Sequence, residues 1–210
     1  MRKVGLEDEI PVSELTVEGI KRRLDNAKSM QLSTELENEM KLLVDWVNNE
    51  YSASKQSEAL SRMYHFADKY MEEANKYLVC TKGCAHCCKA PVLITSAEAT
   101  YIENHTDYAK EQLGIIQELP NKISNSYCPL LDQESAKCSV YEYRPLTCRL
   151  FGTFDHFDHC ESGVTHNTHQ IESVDVLEQV YHLIATDCVD GFKTTGLAAA
   201  SDIRFWFTKA

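Results

Sequence analysis

The sequence is short of positive charge, of long apolar runs and, over its first third, of chain-breaking residues. Twenty-one lysines and arginines face 32 aspartates and glutamates, a formal net charge of −11 spread along the chain rather than gathered in a tail. An acidic balance without a basic patch argues against nucleic acid or an anionic membrane as a partner. No stretch approaches the roughly 20 apolar residues of a membrane-spanning helix. The opening MRKVGLEDEIPVSEL has no apolar run behind its basic residues, so no secretory signal is expected and the chain is expected in the cytoplasm. Internal repeats, low-complexity linkers and serine- or histidine-centred hydrolase motifs are also missing.

What is present suffices for a folded core. Hydrophobic residues make up 43% of the 210 and charged residues 25%, ordinary for a globular chain that packs without help from metals or disulfides. Residues 13–79 hold no proline and only Gly19, and read as helical. Thr34 and Glu37 have capping-box spacing, and Leu36, Met40, Leu43, Val44 and Val47 follow at helical intervals. A second stripe runs through Leu60, Met63, Tyr64, Ala67, Tyr70, Met71 and Ala74. Both stripes are expected to be helix-on-helix core.

The character changes at residue 80. CTKGCAHCCKAP has the glycine, small residues and closing proline of a loop, and VLIT reads as a short strand. Thr95 and Glu98 form another capping box ahead of a short helix, and residues 107–118 are expected to form one more helix. From about Tyr127 to His169 the pattern is irregular, and a structureless segment of that length in a compact domain needs something to pin it. Helix returns with Val174, Val176, Leu177, Val180, Tyr181 and Leu183 facing inward, and IRFWF reads as a strand or a helix end with core aromatics. The expected fold is mainly α, a helical domain around an irregular cysteine-rich metal-binding core with little β structure. It divides into an N-terminal helical region (1–79), a cysteine-cluster core (80–169) and a C-terminal helix and tail (170–210) packed on the same domain.

The nine cysteines carry the chemistry. They make a density below that of a disulfide scaffold, and their odd number fits poorly with full pairing. Cys84 and Cys87 have the spacing of a metal-binding knuckle, with Cys80 and Cys88 on either side. Adjacent residues in an extended loop project differently, so Cys87 and Cys88 together suit a polynuclear cluster or two nearby metals better than one tetrahedral zinc. Cys128, Cys138, Cys148 and Cys160 bring the count to eight, enough for two four-ligand sites, with Cys188 left over in a helix. Two Cys₄ zincs, two iron–sulfur clusters or one of each remain open on spacing alone.

CTKGCAHCC, then CPLL, then CSVYEYRPLTCRLF resembles the bacterial YkgJ-type cysteine-cluster family, whose signature is CxxCxxCC followed by CxxYxxRPxxCRxF. The resemblance covers about residues 80–160. It implies a zinc- or iron-chelating domain in which Cys80, Cys84, Cys87, Cys88, Cys128, Cys138, Cys148 and Cys160 are the metal ligands. Tyr141, Arg144, Pro145 and Arg149 match the second motif. The first gap, Thr81 to Gly83, is three residues where the family has two. Flagellin lysine N-methylases carry the same module, which raises methyl transfer, but no Gly-rich strand-to-helix loop is present to hold a nucleotide-like methyl donor. Cys80, Cys84 and Cys87 also satisfy the CxxxCxxC of radical enzymes, without the barrel-sized α/β pattern that would accompany it.

Around the cysteines, Arg149 is read evenly as a charge partner of thiolates or a structural cation, Arg144 as structural and Tyr141 as packing. His156, His159, His166 and His169, with Asp155 and Asp158, form a polar segment that could hold a second metal, and His86 is a further ligand or proton donor candidate. No catalytic residue is assigned. The functional expectation is a cytosolic protein whose cysteines hold an iron–sulfur cluster, of 4Fe-4S type, or zinc, with a redox, iron-handling or methyl-transfer role. The alternatives are a structural zinc module presenting a surface to a protein partner, and a thiol redox switch at Cys87 and Cys88.

Overall fold

The computed structural model describes residues 16–80, 84–114, 126–155, 157–162, 167–169 and 174–208, with backbone alone at 157, 161 and 162. Helices dominate. The chain runs through α1 (Val17–Lys28), α2 (Thr34–Glu50) and α3 (Gln56–Ala74), then β1 (Leu93–Thr95) and α4 (Ser96–His105). After the irregular middle come α5 (Leu146–Leu150), α6 (Phe157–Ser162), the long α7 (Asp175–Thr195), and a final β6 (Ala200–Asp202) and α8 (Ile203–Trp206). The described strands are short and pair two by two. Antiparallel β1–β6 places Leu93 opposite Asp202, β2 (Leu131–Asp132) meets β3 (Lys137–Cys138), and β4 (Gly152–Thr153) meets β5 (Thr168–His169).

The helical stripes become the core by periodicity. Every member of the α3 stripe from Leu60 to Ala74 is buried, and Leu36 and Leu43 of α2 and Leu177, Val180, Ile184 and Cys188 of α7 pack against it. The short α5 inserts Leu146 and Leu150 into the same cluster. A second cluster joins Ile94, Ala99 and Ile102 to Leu130, Val140, Ile203, Trp206 and Phe207. The α4 capping box forms as expected, with Glu98 N–H donating to Thr95 Oγ1 at 3.2 Å and Thr95 N–H to Glu98 Oε2 at 3.1 Å.

Four local expectations are corrected. The cap of α2 is Ser33, one residue before Thr34; its hydroxyl accepts from Leu36 N–H at 3.2 Å, while Glu73 of α3 rather than Glu37 accepts the Ser33 N–H. On α2, Val44 lies at 37% exposure and Trp46 takes the buried place. On α7, Leu183 is exposed because the inward face runs 177, 180, 184, 188, one step of the helix away from it. Residues 107–114 are not helical; the rest of the expected 107–118 helix lies outside the described residues. Their main-chain groups go to other segments, with Glu111 N–H donating to Trp206 carbonyl at 2.8 Å and Ala198 N–H to Leu113 carbonyl at 2.7 Å. A helix would have needed those groups internally.

Candidate metal centre

The cysteines enter the site from separate segments, each held by the helical core. Cys80 leaves α3 through a 3₁₀ turn at Asn75–Tyr77, and Val79 N–H donates to Thr153 carbonyl at 2.9 Å. Thr153 N–H returns the contact, donating to the Cys80 sulfur at 3.3 Å. Cys87 and Cys88 sit in a 3₁₀ turn spanning His86–Lys89, capped by Ala90 N–H donating to Cys87 carbonyl at 3.0 Å. The main chain carries Cys128 alongside this turn, its N–H donating to Cys88 carbonyl at 2.8 Å. Cys138 ends the second strand of the β2–β3 hairpin, Cys148 lies on α5 and Cys160 on α6.

Main-chain N–H groups already point at several sulfurs. Cys84 accepts from His86, Cys128 from Leu130 and Cys138 from Val140, in each case the amide two residues on. This local turn is the one by which a knuckle aims a sulfur, and each such bond favours the thiolate. Cys160 accepts from the Thr153 hydroxyl. Burial works the other way. It pushes the Cys80 thiol up to about 12 and Cys128 and Cys160 up to about 11, and raises Cys84, Cys87, Cys138 and Cys148 as well. The Cys87 thiol is raised first by its hydrogen bond with Cys88. Neighbouring thiols add to the rise, which places the sulfurs within electrostatic reach of one another.

The eight are partly exposed, whereas Cys188 is buried in the core with Gln56 Nε2 at 3.8 Å from its sulfur, the packing role expected for it. Among the described residues no three Cys, His, Asp or Glu side chains converge on one point as a single bound ion would require. The donor chemistry nevertheless fits a thiophilic metal group: many sulfurs, amides directed at them, and the Nδ1 of His86 buried beside them without a hydrogen-bond partner.

The flanking residues divide sharply. Arg149, 4% exposed, donates to Arg144 carbonyl at 2.9 Å, to Glu142 carbonyl and to Asp68, and lies over the Tyr64 ring at 4.3 Å. Arg144 pairs with Asp68 at 3.6 Å and stacks on Tyr141, itself 53% exposed. Both guanidiniums are thus structural, and each favours the Cys138 thiolate only through space. His169 is buried, with Nδ1 2.7 Å from Leu150 carbonyl and Nε2 3.2 Å from the Tyr70 hydroxyl, and burial lowers its pKa. Asp155 accepts from Asn167 N–H at 2.6 Å and stands 3.9 Å from His159. His156 and His166 lie outside the described residues.

Three residues that matter were not singled out by their chemistry in the sequence. Arg204 donates to Cys88 carbonyl at 3.2 Å, Ala90 carbonyl at 3.0 Å and Ser126 carbonyl at 3.1 Å, and pairs with Asp202, so one side chain clamps both sides of the cysteine turn. A lone cation inside the apolar run IRFWF is the signal that could have found it. Thr153 serves Cys80 and Cys160 together, and Glu98 supports the α5 segment from behind. Neither carried a distinguishing pattern beyond the cap of α4.

Residues 79–178 match a family model, CxxCxxCC, described as a putative zinc- or iron-chelating domain. Over that span, a little under half of the chain, the sequence is similar to a zinc- or iron-chelating domain, which supports metal binding by the cysteine-rich core. No curated protein and no solved structure matches the chain. No helix among the described residues is long and apolar enough to cross a membrane.

Proposed function

We propose that the chain is a cytoplasmic metalloprotein whose cysteines hold an iron–sulfur cluster of the 4Fe-4S type and use it in electron transfer or iron handling. The reading rests on one observation above others: Cys87 lies within electrostatic reach of Cys80, Cys84, Cys88, Cys138, Cys148 and Cys160. A hub with so many sulfur neighbours suits a polynuclear centre, which spreads its thiolates more widely than one ion does. Bound there, such a cluster supplies one-electron exchange at a potential tuned by amide-to-sulfur hydrogen bonds and exposure. The protein's own part is to aim amides at Cys84, Cys128 and Cys138 and to hold the turn with Arg204.

A second reading is favoured by the same three amide-to-sulfur turns, which are also the geometry of zinc knuckles. In it the metal is zinc, the role is structural, and the acidic helices face a protein partner. Anaerobic purification followed by iron, sulfide and zinc analysis and a visible absorption spectrum separates them. Iron and sulfide with visible charge-transfer absorption are expected; stoichiometric zinc in a colourless protein sinks the cluster reading. With neither metal present and reversible thiol loss instead, the pair Cys87 and Cys88 would be a redox switch.

A further inference from the structure

Both ring nitrogens of His169 are committed inside the core. The residue is 5% exposed, with Nδ1 2.7 Å from the Leu150 carbonyl of α5 and Nε2 3.2 Å from the Tyr70 hydroxyl of α3. A carbonyl only accepts, so Nδ1 carries the proton and Nε2 presents the lone pair that accepts from Tyr70. The two rings lie 5.5 Å apart between centroids. Neutral imidazole satisfies both partners, and imidazolium does not.

No charged side chain among the described residues bonds that ring. On α3, Asp68 pairs with Arg144 and Arg149, and Lys69 with Glu35 and Glu39. Arg149, the charged residue of α5, is therefore turned to Asp68. Across the strand pair stands Gly152, which has no side chain, and Asp155 beyond it is bound to Asn167. Arg23 of α1, a like charge, binds the Phe154 carbonyl at 2.7 Å. A proton added at Nε2 turns an acceptor into a donor and buries a charge without a counter-ion.

The strand that bears this ring leads to a cysteine. His169 lies opposite Gly152 in the β4–β5 pair, Thr168 lies opposite Thr153, and Phe154 N–H donates to the Asn167 carbonyl at 3.0 Å. Thr153 in turn donates its N–H to the Cys80 sulfur at 3.3 Å, and its carbonyl accepts from Val79 N–H at 2.9 Å. An unbroken set of contacts thus runs from α3 and α5, through His169, to a main-chain amide on a candidate ligand.

We propose that His169 is a positioning residue of the metal centre: its neutral ring latches the β4–β5 pair to the helical core, so holding the Thr153 amide on Cys80, and acid opens the latch. This rests on the metal-binding reading above and adds control by pH to the same site. Burial lowers the His169 pKa, so the latch's contribution is complete above the unfolded histidine value of about 6.5 and is lost as pH falls below it. Protonation of the thiolates drives metal out in the same direction, so a variant that cannot titrate at 169 is needed to isolate the latch.

The test is zinc release from the loaded full chain to a chromogenic chelator between about pH 7.5 and about pH 5.5, one unit either side of an ordinary histidine. His169→Gln keeps a donor for Leu150 and an acceptor for Tyr70 but does not titrate. With each protein normalised to its rate at the upper pH, the wild type is expected to accelerate about 5-fold or more beyond His169→Gln at the lower pH. Tyr70→Phe, which removes the donor that favours the neutral ring, should move the wild-type acceleration to higher pH. Superimposable normalised profiles for wild type and His169→Gln overturn the latch. If His169→Gln does not fold, hydrogen exchange in the zinc-loaded wild type decides. Protection at 152–154 that falls with acid relative to α3 supports the latch, and protection that holds overturns it. A chain that binds neither zinc nor iron defeats the metal reading itself, and the proposal with it.

Discussion

Leu146 donates its main-chain N–H to the carboxylate of Glu98 at 2.9 Å, and this bond ties α4 to the short helix that carries Cys148. The same carboxylate accepts from the hydroxyls of Tyr64 at 3.1 Å and Tyr181 at 2.9 Å. It is 1% exposed, so its removal strands several buried donors at once. Glu98→Ala is expected to destabilise the chain by about 3 kcal/mol or more, read by urea denaturation. Burial raises the Glu98 pKa against the lowering by its donors. A raised folded value means that its stabilising contribution is complete below the usual carboxyl range and is lost as pH rises. The stability gap between wild type and Glu98→Gln should therefore shrink from acid toward neutral pH, and a gap that widens would refute the assignment.

The thiols set a second pH dependence. Their folded values, about 11 for Cys128 and Cys160 and about 12 for Cys80, lie above that of a free thiol. The metal-free chain is thus expected to hold its stability up to about pH 8.5 and to lose it as pH climbs through the folded values. Metal binding must displace those protons, so affinity for zinc should rise with pH across the neutral range. Competition titrations at several pH values, with proton release measured in weak buffer, check both signs.

Arg204 is 9% exposed at its side chain and bonds three carbonyls around the cysteine turn. Lysine cannot reproduce that fork. Arg204→Lys is expected to cost about 2 kcal/mol or more in stability and to speed metal release from the loaded protein, measured by chelator challenge.

Gly152 packs directly beneath Leu78, and a Cβ there would collide with the Leu78 side chain, itself 4% exposed. Gly152→Ala is expected to destabilise by about 1–3 kcal/mol through overpacking. Because Leu78 lies two residues before Cys80 and Thr153 follows Gly152, the shift should also weaken metal retention. Gly191→Ala, at a glycine with open space around it, is the control.

Metal removal should act unevenly. The cluster formed by α2, α3 and α7 is built on aliphatic and aromatic side chains, and the cysteine among its described buried members is Cys188, which is not a candidate ligand. Far-UV circular dichroism is expected to stay largely helical after chelation. Hydrogen exchange over residues 126–155 should accelerate, since short two-residue strands and turns hold few protected amides. Global unfolding on chelation would show that the metal organises the whole chain.

Much of the architecture was legible because it is periodic. The α3 stripe is buried at every expected position, and the Thr95–Glu98 box and the strand at Leu93–Thr95 form where the spacing put them. The failures have local physical causes. Glu73, 40 residues from Ser33, accepts the Ser33 N–H in place of Glu37, and Trp206 and Ala198 draw the backbone of 107–114 into long-range bonds. Neither partner is visible from neighbouring residues.

The cysteine spacing by itself proposes a candidate donor set, and with it a thiophilic metal over an oxygen-ligated one. Thiolate chemistry and the doublet are properties of residue identity and adjacency, which the linear chain carries in full. Which thiols stand together is not such a property. It depends on where a strand from residue 152, a hairpin from residue 131 and a single arginine at 204 return to the turn at 86–89, and long-range packing of the two cores alone decides that.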